Sequence, residues 1–168
     1  LVSTVENRIV DKVVPATHTT PDPVGLQRLF ADMLDAGCTH CFMEASSHAL
    51  HQHRLAGTTL EGAVFTNITH DHLDYHGDFN SYIAAKKSLF DGLGAPAFAL
   101  TNADARHHET MVAGTKARVV TFGTQQVADH KSRIIENGLG GLQMHIDGQD
   151  LYTRLIGDFN ASNLTAVY

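Results

Sequence analysis

Apolar runs that end in polar residues alternate with helical patterns between residues 40 and 123, and this alternation limits the possible folds more than any other feature. The runs are HCFMEASS (40–47), GAVFTN (62–67), AFALTNAD (97–104) and ARVVTFG (117–123). Continuous apolar strands separated by helices are typical of a parallel sheet covered on both faces. The sequence therefore predicts an α/β fold whose mostly parallel sheet is flanked by helices.

The helical patterns have recognisable starts and ends. In TTPDP (19–23), Thr20 is the expected N-cap and Pro21 the expected first helical residue. Apolar residues then recur at helical spacing until Gly37: Leu26, Leu29, Phe30, Met33 and Leu34. Further helices are predicted after Ser46, from Asp78 to about Leu89, and from about Ala105 to Val112.

The two ends of the chain have a different pattern. Residues 1–14 alternate apolar and polar side chains, which predicts short strands. From about residue 130, the glycine-punctuated runs SRIIENG, LQMHIDG and LYTRLIG predict an antiparallel meander, and GDFNASN begins another helix. We expect one domain over 1–168, with an α/β core at about 15–125 and 157–168 and a small antiparallel β-subdomain at about 126–156.

Composition excludes several classes of protein. The formal charge is −6, and the 12 Lys and Arg residues are scattered, which argues against a nucleic-acid surface. No apolar run approaches the roughly 18–20 residues of a membrane span, and the N-terminus lacks a signal-peptide pattern. Cys38 and Cys41 are spaced C-x-x-C, but no second pair exists, and the apolar run around Cys41 favours buried, reduced thiols over a redox or zinc site. A cytoplasmic protein is expected.

Polar side chains follow three of the predicted strands. Because parallel strands end at the same edge of a sheet, and ligands bind beyond that edge, these side chains are expected to converge on a site. Each one could instead be a helix cap or a turn former. They are Glu44, Ser46 and Ser47, then Thr66 and Asn67, then Asn102 and Asp104.

The loop THDHLDYHG (69–77) concentrates possible metal ligands. A metal-dependent hydrolase built on His70, His72 and His76 is one interpretation, since such enzymes use a His-x-His-x-Asp-His motif. Here one extra residue, Tyr75, separates Asp74 from the last histidine, so the spacing does not match.

The helix that follows this loop carries a lysine in its apolar stripe. Lys86 lies at the position i+7 from Phe79, in line with Tyr82, Ile83 and Phe90. Its stem can cover apolar surface while the ammonium stays in water. The alternative is a functional lysine whose amine is made reactive by burial.

Four stretches together resemble the central domain of the Mur ligases, the ATP-dependent amino-acid ligases of peptidoglycan synthesis. They are THTTPDP, MEASSHALHQHR, FTNITHDHLDYHGDFNSYIAAK and IGDFNASN. The similarity covers essentially the whole chain, and it is strongest to members that add a third residue, with a lean to meso-diaminopimelate, to UDP-N-acetylmuramoyl-L-Ala-D-Glu. It implies a fold like that of phosphate-loop NTPases. The sister class of folylpolyglutamate synthetases is an alternative, although the SSHAL.QHR stretch favours a muramyl substrate.

The resemblance implies a magnesium site. In the family, the lysine that ends YxxAK is carbamylated by CO₂, which here is Lys86. The same comparison makes Glu44, His72 and the carbamylated Lys86 the magnesium ligands, and oxygen donors with one imidazole suit Mg²⁺. His70 and His76 are then expected to orient the loop by hydrogen bonds.

The resemblance also implies where the substrates bind. Positions that hold the UDP-N-acetylmuramoyl-dipeptide in the family correspond to Thr19, Thr20, Ser46, Gln52 and Arg54. Asn160 and Asn163 correspond to the asparagines near the adenine of ATP. The implied reaction joins the dipeptide to an amino acid through an acyl phosphate made from ATP.

The family's phosphate-binding loop, G-x-x-G-x-x-G-K-T, does not occur in the 168 residues. In the family it precedes the region that matches residue 1. We expect the chain to be part of a longer protein with further N- and C-terminal domains. We also expect the 168 residues alone to bind ATP weakly or not at all and not to catalyse ligation.

Overall fold

The computed structural model describes residues 1–69, 71 and 73–168. These residues form two compact units, one of Leu1–Thr59 with His72–Ser88 and one of Leu60–Asp71 with Leu89–Tyr168. His72, a proposed magnesium ligand, and His70, which is expected to orient the loop, lie outside the described residues. The domain division predicted from the sequence remains a prediction.

The first unit begins with a hairpin of β1 (Asn7–Ile9) and β2 (Lys12–Val14), as the alternation over residues 1–14 predicts. Its helices are α1 (Pro23–Asp35), α2 (Ser47–His51), α3 (Leu73–His76) and the start of α4 (Phe79–Asp91). The predicted start of α1 is wrong by two residues. The carboxylate of Asp22 caps the helix by accepting from the amides of Val24 and Gly25, and Pro23 is the first helical residue.

One face of α1 packs into the core of this unit. Leu29 and Met33 form a buried cluster with Val2 and Ile9. Gly37, at φ +82°, follows the end of the helix as predicted. Leu34 was predicted on the same apolar face, but its side chain is 73% exposed.

The predicted buried strand at residues 40–44 is not a strand. Met43 forms one isolated parallel bridge with Val2, held by hydrogen bonds from Val2 N–H to Phe42 O and from Glu44 N–H to Val2 O, both 2.9 Å. The chain turns directly after Val2, where the Ser3 hydroxyl donates to Glu6 O at 2.8 Å, so the pairing cannot continue. Phe42 is consequently 75% exposed and Cys41 is exposed, which corrects the prediction of a buried thiol.

The second unit contains a sheet with the strand order β3-β4-β5-β6-β7-β8 among the described residues. The strands are β3 (Gly62–Phe65), β4 (Phe98–Asn102), β5 (Arg118–Gly123), β6 (His130–Gly138), β7 (Gly141–Ile146) and β8 (Gln149–Thr153). Neighbours from β3 to β6 are parallel, and β6 to β8 form the predicted antiparallel meander. The α/β prediction is confirmed, and β6 is hydrogen-bonded to β5, so the meander continues the sheet.

Helices α5 (His108–Val112) and α6 (Asp158–Val167) complete this unit. Leu142, Met144 and Ile146 of β7 are buried against Ala161 of α6. The hydroxyls of Ser132 and Thr165 lie 2.6 Å apart and are buried. Because the Thr165 hydroxyl donates to Ala161 O at 2.7 Å, Ser132 must be the donor in the pair. In the part of the chain that is described, no helix is long and apolar enough to cross a membrane.

Polar residues at the ends of β3 and β4 do meet, but as a structural brace. The Asn102 amide donates to Thr66 O at 2.8 Å and to the Ser162 hydroxyl at 3.2 Å, while its oxygen accepts from the Asp104 amide. Asn102 is buried and thereby joins two strand ends and α6. These contacts account for Asn102 without a ligand.

Asp104 holds the turn after β5. Burial alone would raise the pKa of Asp104, but the backbone amides of Gln126, Thr124 and Gln125 and the Thr124 hydroxyl donate to the carboxylate and hold the pKa below its usual range. The shortest of these bonds, from the Thr124 amide, is 2.6 Å. The ionised carboxylate therefore stabilises the folded turn.

We expect Asp104→Asn to lower the free energy of unfolding by about 1–2 kcal/mol at pH 7, because the new amide NH₂ faces backbone donors. The pKa of Asp104 is lower in the folded state than in the unfolded state. Its stabilisation is therefore present above the unfolded pKa of about 4 and is lost as the pH falls through the folded pKa. Urea unfolding followed by circular dichroism should show the difference between variant and unsubstituted chain at pH 7, and this difference should shrink as the pH falls below about 4. Asp150→Asn, at an exposed carboxylate, is the control, and an equal effect of both substitutions would contradict this account.

Candidate functional site

The candidate site of the first unit is organised around Thr20, whose side chain is fully buried. Its hydroxyl donates to Glu44 O at 2.8 Å and accepts from the Ser46 amide at 3.3 Å. Its carbonyl accepts from Arg54 Nη1 at 2.8 Å. Thr20 thus ties together the three segments that carry the predicted substrate residues.

Thr19 and Glu44 lie next to this centre. The Thr4 hydroxyl donates to Glu44 Oε2 at 2.7 Å and lies 3.0 Å from the Thr19 hydroxyl. Since the proton of Thr4 goes to the carboxylate, Thr19 must donate to Thr4. Glu44 itself is exposed, and its other carboxylate oxygen makes no hydrogen bond to the described residues.

Ser46 is the N-cap of α2. Its hydroxyl accepts from the Ala49 amide at 3.2 Å, a capping role that the sequence pattern also allows. The amide of Ser46 is held by Thr20, so the start of α2 is fixed from both sides. The hydroxyl keeps its own proton for a second contact.

Gln52 and Arg54 form a fork after α2. Arg54 donates from Nε at 2.9 Å and from Nη2 at 2.7 Å to the same oxygen, Gln52 Oε1. With the bond to Thr20 O, three of the five guanidinium N–H groups are used. One N–H on each terminal nitrogen remains without a hydrogen bond among the described residues, which suits a paired contact to a carboxylate or phosphate.

This fork lines an open cleft of about 330 Å³. The volume is at the lower end of the range for small-molecule sites. Asp22 is also in the wall, and the hydrogen bond from the Gly25 amide holds the pKa of Asp22 below its usual range. The lining residues are Thr17, His18, Pro21, Asp22, Pro23, Gln52 and Arg54.

A second group of contacts fastens α3 to α2 through aromatic rings. His76 Nε2 lies 3.0 Å from the Ser47 hydroxyl, and the His76 ring stacks on Tyr82 with the centroids 5.3 Å apart. The ring of Tyr75 lies 4.0 Å from that of His48, centroid to centroid. These contacts fix the orientation of α3, the helical turn in the second half of the histidine loop.

Lys86 follows Tyr82 by one helical turn. Its Nζ lies 5.3 Å from the centroid of the Tyr82 ring, and the side chain is half-buried. This is the distance of a cation–π contact. Lys86 is therefore partly covered, as its place in the apolar stripe predicts. The Tyr82 side chain that it contacts is buried, with 5% of its surface exposed.

The proposed magnesium ligands can be only partly compared with this geometry. Glu44 offers a carboxylate oxygen, and Lys86 offers a partly covered amine that carbamylation would turn into an anion, so both suit a hard cation. His72 lies outside the described residues. Among the residues that the structure does describe, no three His, Cys, Asp or Glu side chains are grouped as a metal site. The ligand set remains a prediction.

The two predicted adenine contacts lie in the second unit, at the start of α6. Asn160 is half-buried, and its amide donates to Ile156 O at 2.8 Å. Asn163 is exposed. The bond of Asn160 closes the turn before the helix, whose N-cap is Gly157 without a side-chain cap, and a nucleotide contact stays a prediction.

Three contacts of the site are not visible in the sequence. Thr4 hydrogen-bonds Glu44 across 40 residues, and Tyr75 contacts both His51 and Gln52 across more than 20. The other residues in these contacts lie inside the stretches that resemble the Mur ligases, and this was the one signal in the sequence that they belong to a site. Spacing alone does not show that the two motifs touch.

Comparison with known proteins gives the family. The Mur ligase middle domain matches residues 1–168, the whole chain. The chain belongs to the Mur ligase family. The predicted fold class agrees with this, because a solved structure of a UDP-N-acetylmuramoyl-L-alanyl-D-glutamate–2,6-diaminopimelate ligase superposes on 98% of this middle domain with a TM-score of 0.85 and 32% identity, over 35% of its own length.

Two proteins with similar sequences are also UDP-N-acetylmuramoyl-L-alanyl-D-glutamate–2,6-diaminopimelate ligases. The protein of Cytophaga hutchinsonii is 55% identical over 168 residues, which is all of this middle domain and 35% of the relative. That of Phocaeicola vulgatus is 46% identical over the same length, again 35% of the relative. The chain thus spans about a third of the length of the relatives it matches.

We expect Thr20→Val to lower the free energy of unfolding by about 1–3 kcal/mol, because the Glu44 carbonyl and the Ser46 amide both lose the hydroxyl as their partner. Thr20→Ser keeps the hydroxyl and should cost less than half as much. Chemical denaturation of both variants measures the difference. Equal losses would show that the methyl group contributes as much as the hydroxyl and would contradict this account.

Proposed function

We propose that the chain is the middle part of an ATP-dependent ligase that adds the third amino acid, meso-diaminopimelate, to UDP-N-acetylmuramoyl-L-Ala-D-Glu in peptidoglycan synthesis. The observation that carries this is the 55% identity to a ligase of that name along the whole chain. The hydrogen-bonded group of Thr19, Thr20, Ser46, Gln52 and Arg54 supports it, since these residues were assigned to one substrate from separate motifs. A cytoplasmic enzyme fits this role.

In this proposal the fork of Arg54 recognises an anionic group of the muramyl dipeptide. The two remaining N–H groups of Arg54 match the paired oxygens of a carboxylate or phosphate, and the guanidinium keeps its charge at any physiological pH. The hydroxyls of Thr19 and Ser46 add polar contacts to sugar or peptide oxygens. Because the guanidinium is already held on two sides, little of its conformational freedom is lost on binding.

Glu44, His72 and Lys86 would hold the magnesium ion in this proposal, Lys86 after it has been carbamylated by CO₂. A bound magnesium ion neutralises the negative charge of the phosphates during transfer. Thr4 keeps Glu44 Oε2 occupied, which leaves the other oxygen of the carboxylate for the metal. Tyr82 and the apolar stripe of α4 fix the stem of Lys86.

The reaction places few chemical demands on the protein. The D-glutamate γ-carboxylate attacks the γ-phosphorus of ATP, which releases ADP and forms an acyl phosphate. The incoming amine then attacks the acyl carbon, and phosphate leaves. Residues of this chain contribute by holding the carboxylate in line with the phosphate, with Asn160 and Asn163 proposed at the adenine. The phosphate-binding loop, the uridine site and the amino-acid site are assigned to further parts of a longer protein.

The test is a chimera in which these 168 residues replace the 168 aligned residues of the Cytophaga hutchinsonii ligase. We expect phosphate release from ATP that requires both UDP-N-acetylmuramoyl-L-Ala-D-Glu and meso-diaminopimelate, because the matched segments should be interchangeable. Arg54→Ala in the chimera should raise the KM for the dipeptide at least tenfold, which corresponds to a lost charged contact of about 1.5–3 kcal/mol. Thr124→Ala, in the second unit, is the control.

A folded chimera that consumes no ATP with these substrates would contradict the proposed function. Activity with L-lysine in place of meso-diaminopimelate would not decide about this chain, since the amino-acid site is assigned elsewhere. The control variant should keep its KM for the dipeptide. Circular dichroism of every variant separates misfolding from lost binding.

Carbamylation of Lys86 has its own test. With ¹³C-bicarbonate at alkaline pH, the chimera should show a carbamate carbon resonance that disappears in Lys86→Gln and persists in Lys87→Gln. Both lysines are half-buried and adjacent, so the comparison separates a specific modification from a general one. Persistence of the signal in Lys86→Gln, or its absence from the unsubstituted chimera, would contradict the assignment.

A further inference from the structure

Tyr75 contacts the Arg54 fork although neither the sequence pattern nor the proposed reaction assigns it a role. Gln52 Nε2 lies 2.9 Å from the Tyr75 hydroxyl, and His51 Nδ1 lies 3.0 Å from the same oxygen. Gln52 in turn accepts both hydrogen bonds from the side of Arg54. A line of hydrogen bonds therefore runs from Arg54 through Gln52 and Tyr75 to His51.

The donors available fix the direction of the bonds from Arg54 to Gln52 and from Gln52 to Tyr75. Arginine has no acceptor, so the Gln52 atom that faces Arg54 must be the oxygen. The Gln52 nitrogen then faces Tyr75 and must donate to its oxygen. The Tyr75 hydroxyl keeps its own proton, which it can donate to His51 Nδ1 at 3.0 Å.

We propose that Tyr75 is a positioning residue: its hydroxyl, held by His51, fixes the Gln52 amide that orients the Arg54 guanidinium in the cleft. Without Tyr75 the side-chain amide of Gln52 can rotate, because the residue is exposed. In the described part of the chain, Arg54 would then be the one remaining hydrogen-bond partner of this side chain. Arg54 would then keep only its bond to Thr20 O. The identity of the ligand as the muramyl dipeptide rests on the proposed function.

This arrangement links the recognition fork to the histidine loop. Tyr75 lies in α3, the helical turn in the second half of the histidine loop, and His76 beside it is held by Ser47. Movement of α3 therefore displaces the partner of Gln52. The position of Arg54 is in this way coupled to the segment that carries the proposed ligand His72.

The experiment compares Tyr75→Phe with the unsubstituted 168-residue chain by NMR of the Arg54 side chain. The phenylalanine ring keeps the ring contacts of Tyr75 with His48 and His76, so the urea midpoint should stay unchanged. We expect exchange of the Arg54 Nε–H with water to become about two- to tenfold faster, which is the range for one lost hydrogen bond. In the chimera, the affinity for UDP-N-acetylmuramoyl-L-Ala-D-Glu should fall by a similar factor on the same substitution.

Three further variants make the result specific. Tyr152→Phe removes a hydroxyl that donates to Gly140 O at 2.6 Å in the second unit, and it should leave Arg54 exchange unchanged. His51→Leu removes the acceptor for Tyr75 and should accelerate the exchange. His51→Asn offers an amide oxygen near the position of Nδ1 and should restore it.

Unchanged Arg54 exchange in Tyr75→Phe would overturn the inference, as would faster exchange with unchanged affinity for the dipeptide. If the unsubstituted chimera does not bind the dipeptide, the proposed function loses support, while Arg54 exchange in the 168-residue chain still decides whether Tyr75 positions the fork. The two failures are therefore distinguishable.

Discussion

The buried hydroxyl of Thr20 is the interaction on which the architecture of the first unit depends. It satisfies a backbone carbonyl at Glu44 and a backbone amide at Ser46, which have no strand ladder to pair with. A polar group that loses its partner on folding would be costly, so this hydroxyl, together with the bridge between Val2 and Met43, stabilises the segment after residue 40. The carbonyl of the same residue anchors Arg54. One side chain thus replaces the pairing that a longer strand would have supplied.

The residues proposed for recognition and metal binding lie on or beside short elements in this unit, and such elements are not stable alone. Helices α2 and α3 have five and four residues, far below the length at which an isolated helix persists in water. Both are held by side-chain contacts, with the Ser46 cap at one end and the rings of Tyr75, His76 and His48 at the other. Helices α2 and α3 are therefore held in place by tertiary contacts, which gives Tyr75 and His76 a structural role.

Much of the fold follows from patterns that are local in the sequence, whereas the site depends on contacts between distant segments. The apolar runs at β3, β4 and β5 predicted the parallel strands, and the meander and Gly37 were also predicted. Thr20 and Asp22 are both good N-caps, and nothing local shows that the hydroxyl of Thr20 is taken by Glu44, 24 residues away. The run at 40–44 has a strand pattern, but Val2 offers it only one paired residue. The contact between Tyr75 and Gln52 likewise joins two motifs that spacing cannot bring together.

In the second unit, the antiparallel meander is joined to the parallel strands at a narrow seam between β5 and β6. Strands β5 and β6 share two register pairs, Phe122 with His130 and Gly123 with Lys131, and a clasp in which Asp129 accepts from the amide and hydroxyl of Thr121. Helix α6 packs across this seam and contacts both strands. The consequence is one of cooperativity: the two halves of the sheet unfold together only while α6 stays docked, so the stability of that helix decides whether force applied to the meander reaches the parallel strands.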